Sequence, residues 1–99
     1  MNAGVLNIED VRNRLASIFK KYNIKNAYLF GSYARNEADT SSDIDLIIKT
    51  DNDFSLLNLA KLEEEIELSI NKKVDLLTID SLPLQIRSKI IGERIKIYG

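Results

Sequence analysis

The chain predicts an α/β (α+β) fold, a small mixed β-sheet flanked by helices. Three observations carry this. Apolar residues recur every three or four positions near residues 8–22 and again near 54–71. Short runs rich in β-branched and aromatic residues lie between those stretches and after them. Polar punctuation separates each run from the next. The order is helix, strand, short helix, strand, long helix, strand, helix, which packs as helices on a small sheet.

Residues 1–6 read as a loose lead-in to a single domain spanning residues 1–99. Asn7 is placed to cap a helix from Ile8 to Tyr22, with Glu9 and Asp10 at its positive end and Lys20 and Lys21 at its negative end. Val11, Leu15, Ile18, Phe19 and Tyr22 form its apolar face. Lys25 to Phe30 reads as a strand ending at Gly31. Ser32 to Glu37 fits one or two helical turns, Asp39 to Ser42 is a polar loop, and Asp43 to Lys49 is the second strand.

Asp53 or Ser55 is expected to cap a long helix over Phe54 to Asn71. Leu56, Leu59, Leu62, Ile66 and Ile70 should face inward, and the acidic run Glu63, Glu64, Glu65 and Glu67 should form a solvated face. Lys73 to Ile79 is the third strand and holds Asp75 among apolar neighbours. Asp80 or Ser81 should cap a last helix with Pro83 in its first turn, Ile86 and Ile90 inward, and Gly92 at its end. Ile95 and Ile97 alternate with Lys96, as in a short final strand or a partner-binding tail.

Composition narrows the chemistry. With neither Cys nor His, thiol nucleophiles, zinc–thiolate sites and Ser-His-Asp catalysis are excluded. Carboxylates, hydroxyls, Lys, Arg, backbone amides and a metal remain. Lys+Arg 14 against Asp+Glu 15 gives a net charge of -1, which is no footprint for an extended nucleic-acid surface. No apolar run is long enough to span a membrane, and the first residues lack the pattern of a signal peptide, so the cytoplasm is the expected compartment.

The informative stretch runs from Gly31 to Ile48. On a strand, residues two apart point to one side, so Asp43 and Asp45 project together. Their repulsion calls for a counter-charge, and an all-oxygen pair suits a hard divalent cation. If the second and third strands are neighbours, Asp75 lies beside the pair. Three carboxylates at one sheet end are the ligand set for two metal ions in an in-line phosphoryl or nucleotidyl displacement, with Asp75 on the nucleophile side. Gly31 permits close backbone approach, and Ser32 opens a turn whose N–H groups and hydroxyl can hold a phosphate. Arg35 either adds charge to the triphosphate or pairs with Glu37 or Asp39. The string Gly-Ser, ten residues, Asp-x-Asp would arise by chance in such a chain on the order of once in a thousand.

These residues resemble the minimal nucleotidyltransferases of the polymerase-β-like superfamily, whose signature is Gly-Ser-x10-Asp-x-Asp followed by an Asp in an apolar strand. The resemblance covers about Ile8 to Ile97 and implies the nucleotidyltransferase fold. It matches Gly31 and Ser32 to the nucleotide-phosphate turn, Asp43 and Asp45 to the metal ligands, and Asp75 to the third carboxylate. Where the family often has Ala-Arg-Gly-Glu, this chain has Ala34-Arg35-Asn36-Glu37. The resemblance further implies ATP as substrate, Mg²⁺ (or Mn²⁺ in its place) at a two-metal site, and AMPylation of a tyrosine on a HEPN toxin for which the chain is the antitoxin. Together the two would form a hetero-oligomeric toxin–antitoxin pair. The alternatives are a non-catalytic antitoxin acting by complex formation, or transfer to a small molecule such as an aminoglycoside.

Overall fold

The computed structural model describes residues 7–99, so the lead-in expected over residues 1–6 lies outside the described residues. Helix α1 spans Ile8–Lys21, strand β1 Asn26–Phe30, strand β2 Ile44–Lys49, helix α2 Leu56–Ile70, strand β3 Val74–Thr78, helix α3 Leu84–Ile91 and strand β4 Ile95–Tyr98. The strands form one mixed sheet in the order β3-β2-β1-β4. β1 runs antiparallel to both β2 and β4, whereas β2 and β3 are parallel. The parallel pair is joined by α2, since two parallel neighbours need a long crossover.

Alternation along the strands divides the sheet into two faces. Ala27 and Leu29 of β1, Ile44, Leu46 and Ile48 of β2, and Val74 and Leu76 of β3 all point into one core. α1 closes it with Val11, Leu15 and Phe19, and α2 closes it with Leu62, Ile66 and Ile70. The opposite face carries Tyr28, Asp45, Ile47, Asp75 and Leu77 by the same alternation. There Tyr28 and Ile47 meet Ile79, Leu82 and Ile90 around a small cavity.

Local chemistry explains most boundaries. The Asn7 side chain accepts from Glu9 N at 2.7 Å, capping α1 as expected. Ser55, not Asp53, caps α2 by accepting from Asn58 N at 3.0 Å. Phe54 stays outside the helix in a turn whose N–H bonds Asp51 O at 3.1 Å. Asn71 ends α2 in the left-handed conformation, with φ 54°. The final strand exists, with Ile97 buried against the core.

Several expectations need correction. Leu56 is 84% exposed, because burial along α2 begins only at Leu59 and position 56 is the helix's first residue. Glu65 and Glu67 are not merely solvated: Lys21 Nζ bonds Glu65 at 2.8 Å, and Val74 N donates to Glu67 Oε2 at 2.9 Å. Asp80 and Ser81 do not cap α3. They lie in a 3-10 turn, and Pro83 takes the N-cap position without a side-chain bond. Ile86 is 45% exposed and α3 has no buried residue; it meets the sheet beside Ile47 and Tyr28 through Ile90 and Ile91.

These differences predict unequal costs along one helix. Leu62→Ala should lose about 2–5 kcal/mol in chemical denaturation, because it empties a fully buried site. Leu56→Gln should stay within about 0.5 kcal/mol of the parent. Equal losses would place Leu56 in the core after all.

Candidate active site

The parallel register of β2 and β3 sets Asp45 directly opposite Asp75. Paired residues of neighbouring strands share a face, so both carboxylates stand on the side away from α1 and α2. Asp45 is half-buried and Asp75 is exposed at the rim. Asp43 falls just before β2, since pairing starts where Ile44 N bonds Lys73 O at 3.1 Å. It is exposed and ends the polar loop, not the strand itself.

The electrostatics record how close the acids stand. Asp45 is pushed up to about 6, first by burial, then by a hydrogen bond with Asp75 and by the charges of Asp75 and Asp43. The Arg35 guanidinium pulls it the other way. A cation between the two carboxylates would relieve the same repulsion. The donor set is all oxygen, which fits a hard divalent ion. Among the described residues, no three such side chains are already gathered tightly enough to enclose one ion.

Gly31 forms the wall behind Asp45. It follows Phe30, which pairs with Asp45 in the β1–β2 register. Its φ is +75°, and a Cβ there would fall on Asp45 Oδ2. Both facts exclude a side chain at this position. Beyond it the chain makes one helical turn, not two. Arg35 N bonds Gly31 O at 3.1 Å, Asn36 N bonds Tyr33 O at 3.3 Å, and Glu37 N bonds Ser32 O at 2.8 Å. With Asn36 at φ 57°, this is a Schellman closure in which Asn takes the usual Gly place. Ser32 therefore opens the turn immediately beside the Asp45 carboxylate.

Arg35 stands at the same edge but is already engaged. Its Nε bonds Glu37 Oε1 at 2.8 Å, and another guanidinium nitrogen lies 3.7 Å from Glu93. The pairing with Glu37 is one of the two alternatives read from sequence. Glu93, from the connection between α3 and β4, was not foreseen, because nothing local marks a partner so distant in the chain. Glu67 and Lys72 were also missed. Glu67 accepts from Val74 N, just before Asp75, and Lys72 Nζ donates to Ser42 O at 3.2 Å, just before Asp43.

The family model for polymerase beta nucleotidyltransferases matches residues 13–99, taking in every one of these positions. The chain belongs to that family. A Methanocaldococcus jannaschii relative, provisionally named protein adenylyltransferase MJ0435, is 36% identical over 92 residues, covering 93% of this chain and 99% of its own. Protein adenylyltransferase MntA of Thermococcus cleftensis is 28% identical over 97 residues, covering 94% and 98%. The fold is shared with the solved structure of a tri-AMPylated Shewanella oneidensis HEPN toxin in complex with MNT antitoxin, at TM-score 0.74 and 17% identity, covering 94% of this chain and 73% of that one. Among the described residues no helix is long and apolar enough to cross a membrane.

The raised Asp45 value has a definite sign for this family member's stability. A carboxyl that binds its proton more tightly when folded costs stability once the pH exceeds the unfolded value, and the full cost is present above about 6. Metal-free protein should therefore gain stability from this group between pH 7 and pH 5. Asp45→Asn should remove that pH dependence and raise the metal-free stability at pH 7 by about 1–2 kcal/mol, allowing for solvent screening. Thermal melts at the two pH values check this. A lower melting temperature for the variant would make Asp45 a structural acceptor instead.

Proposed function

We propose that this chain transfers AMP from ATP to a tyrosine hydroxyl of a partner HEPN toxin, and acts as its antitoxin. The observation that carries the reading is the pairing of Asp45 with Asp75 on one sheet face, against the Gly31-Ser32 turn. A protein as acceptor is supported by the names of the two relatives. The HEPN partner extends to this chain the assembly of the Shewanella complex, through likeness of fold.

In this reading Asp43, Asp45 and Asp75 hold Mg²⁺, or Mn²⁺ in its place. The bound cations would neutralise the triphosphate and the departing pyrophosphate. Gly31 lets the backbone approach the nucleotide, and Ser32 offers its hydroxyl and N–H to a phosphate oxygen. Arg35, turned from Glu93, adds positive charge at the same edge. The acceptor oxygen bonds the α-phosphorus of ATP as the bond from that phosphorus to the pyrophosphate oxygen breaks. Asp75, the exposed carboxylate on the acceptor side, takes the hydroxyl proton. Asp45 serves in its ionised form, and protons compete with the cation for it, so the Mg²⁺ concentration needed for transfer should rise as the pH falls.

Incubation with labelled ATP, Mg²⁺ and the HEPN protein should label that protein. Asp43→Asn combined with Asp45→Asn should reduce the label by about 100-fold or more and abolish the melting shift given by Mg²⁺ and ATP. Neutralisation of the toxin by the wild type without any label would establish a non-catalytic antitoxin. Label on an aminoglycoside but not on the protein would establish a small-molecule acceptor.

A further inference from the structure

Asp43 is exposed and, unlike Asp45 and Asp75, lies outside its strand, one residue before β2 begins. The sheet holds it on one side only, where the next residue's N–H bonds Lys73 O at 3.1 Å. The preceding loop is tied locally. Asp39 Oδ1 accepts from Ser41 N at 2.9 Å and from Ser41 Oγ at 2.7 Å, while Ser42 Oγ accepts from Asp39 N at 2.9 Å. These bonds shape the loop but do not attach it to the body of the protein. On the loop side of Asp43 the attachment is Lys72, in the connection between α2 and β3. Its ammonium donates to Ser42 O at 3.2 Å and reaches Thr40 O at 3.5 Å. The bond to Ser42 is partly buried, and both acceptors are main-chain carbonyls, not carboxylates.

We propose that Lys72 is a positioning residue for Asp43. It grips the carbonyl of the preceding residue and so fixes where the Asp43 side chain starts. A charged donor on a neutral carbonyl makes a stronger tie than a neutral pair. The same connection feeds β3, so Lys72 couples the Asp43 loop to the strand that bears Asp75. Glu67 acts in parallel at the other strand, where it holds Val74 N beside Asp75. Loss of the Lys72 ammonium frees the Asp43 loop while the Asp45–Asp75 pairing stays intact. The consequence is a weaker grip on the divalent cation, with the nucleotide-binding turn unchanged. This rests on the proposed reading of Asp43 as a metal ligand.

The test compares wild type, Lys72→Met and Lys72→Arg. Amide hydrogen exchange on metal-free protein should show faster exchange in Lys72→Met across residues 40–43, with α1 unchanged. The Mg²⁺ concentration giving half of the ATP-dependent melting shift should rise about tenfold in Lys72→Met and return towards wild type in Lys72→Arg. In the transfer assay the Mg²⁺ requirement should rise likewise, with the KM for ATP at saturating Mg²⁺ unchanged. A wild-type Mg²⁺ requirement in Lys72→Met overturns the proposal, even where its melting temperature falls, because Lys72 is then only a staple. A wild type with Mg²⁺-dependent ATP binding but no transfer defeats the enzymatic reading alone, and the binding measurement still decides on Lys72. Absence of any Mg²⁺-dependent shift in the wild type overturns both.

Discussion

The pairing of Asp45 with Asp75 across two parallel strands is the constraint on which this molecule turns. Two carboxylates set side by side on one sheet face repel, and the half-buried member answers by holding its proton up to about 6. Such a pair costs stability in the free protein. It persists because the other face of the same strands is among the best-packed parts of the core: Ile44, Leu46 and Ile48 are fully buried beneath α1 and α2. A slip of one residue between β2 and β3 would relieve the acids but turn those three side chains out to solvent. Hydrophobic burial on one side thus enforces anionic crowding on the other.

The surroundings make sense as accommodation of that pair. Gly31 has its left-handed φ and no side chain because the Asp45 carboxylate fills the space a Cβ would need. The turn that follows is closed by Asn36 in the left-handed region, so the chain returns within seven residues and keeps Ser32 at the edge. Arg35 supplies the one positive charge found to oppose the protonation of Asp45, yet two glutamates share it. A cation arriving at the paired acids would supply the positive charge that Arg35, held by Glu37 and Glu93, gives them only in part. The nucleotidyl-transfer reading therefore rests on carboxylates that the free protein leaves crowded.

Much of this was legible in the chain. The helical spacing of Val11, Leu15 and Phe19, and of Leu62, Ile66 and Ile70, gave the two core helices, and the parallel register of β2 and β3 put Asp75 beside Asp45 as the motif suggested. Asn36 keeps the turn that the family often closes with Gly, because its short amide tolerates the left-handed backbone. The losses have physical reasons. Leu56 fits the α2 stripe by periodicity, but a period does not say where a helix first meets the sheet. Ile86 and Ile90 suggested an inward face for α3, but an i, i+4 pair cannot reveal how little sheet lies beneath it. Glu67, Lys72 and Glu93 act on groups brought near only by folding. Glu67 was hidden within an acidic run that reads as solvated surface, and Lys72 looked like the ordinary end of a helix.

Anomalous diffraction at the manganese edge, from crystals holding Mn²⁺ and a non-hydrolysable ATP analogue, tests the central claim most directly. The account predicts manganese bound by the carboxylates of Asp43, Asp45 and Asp75, with the analogue's phosphates against Ser32. Manganese bound elsewhere, or phosphates seated away from residues 31–32, would contradict it.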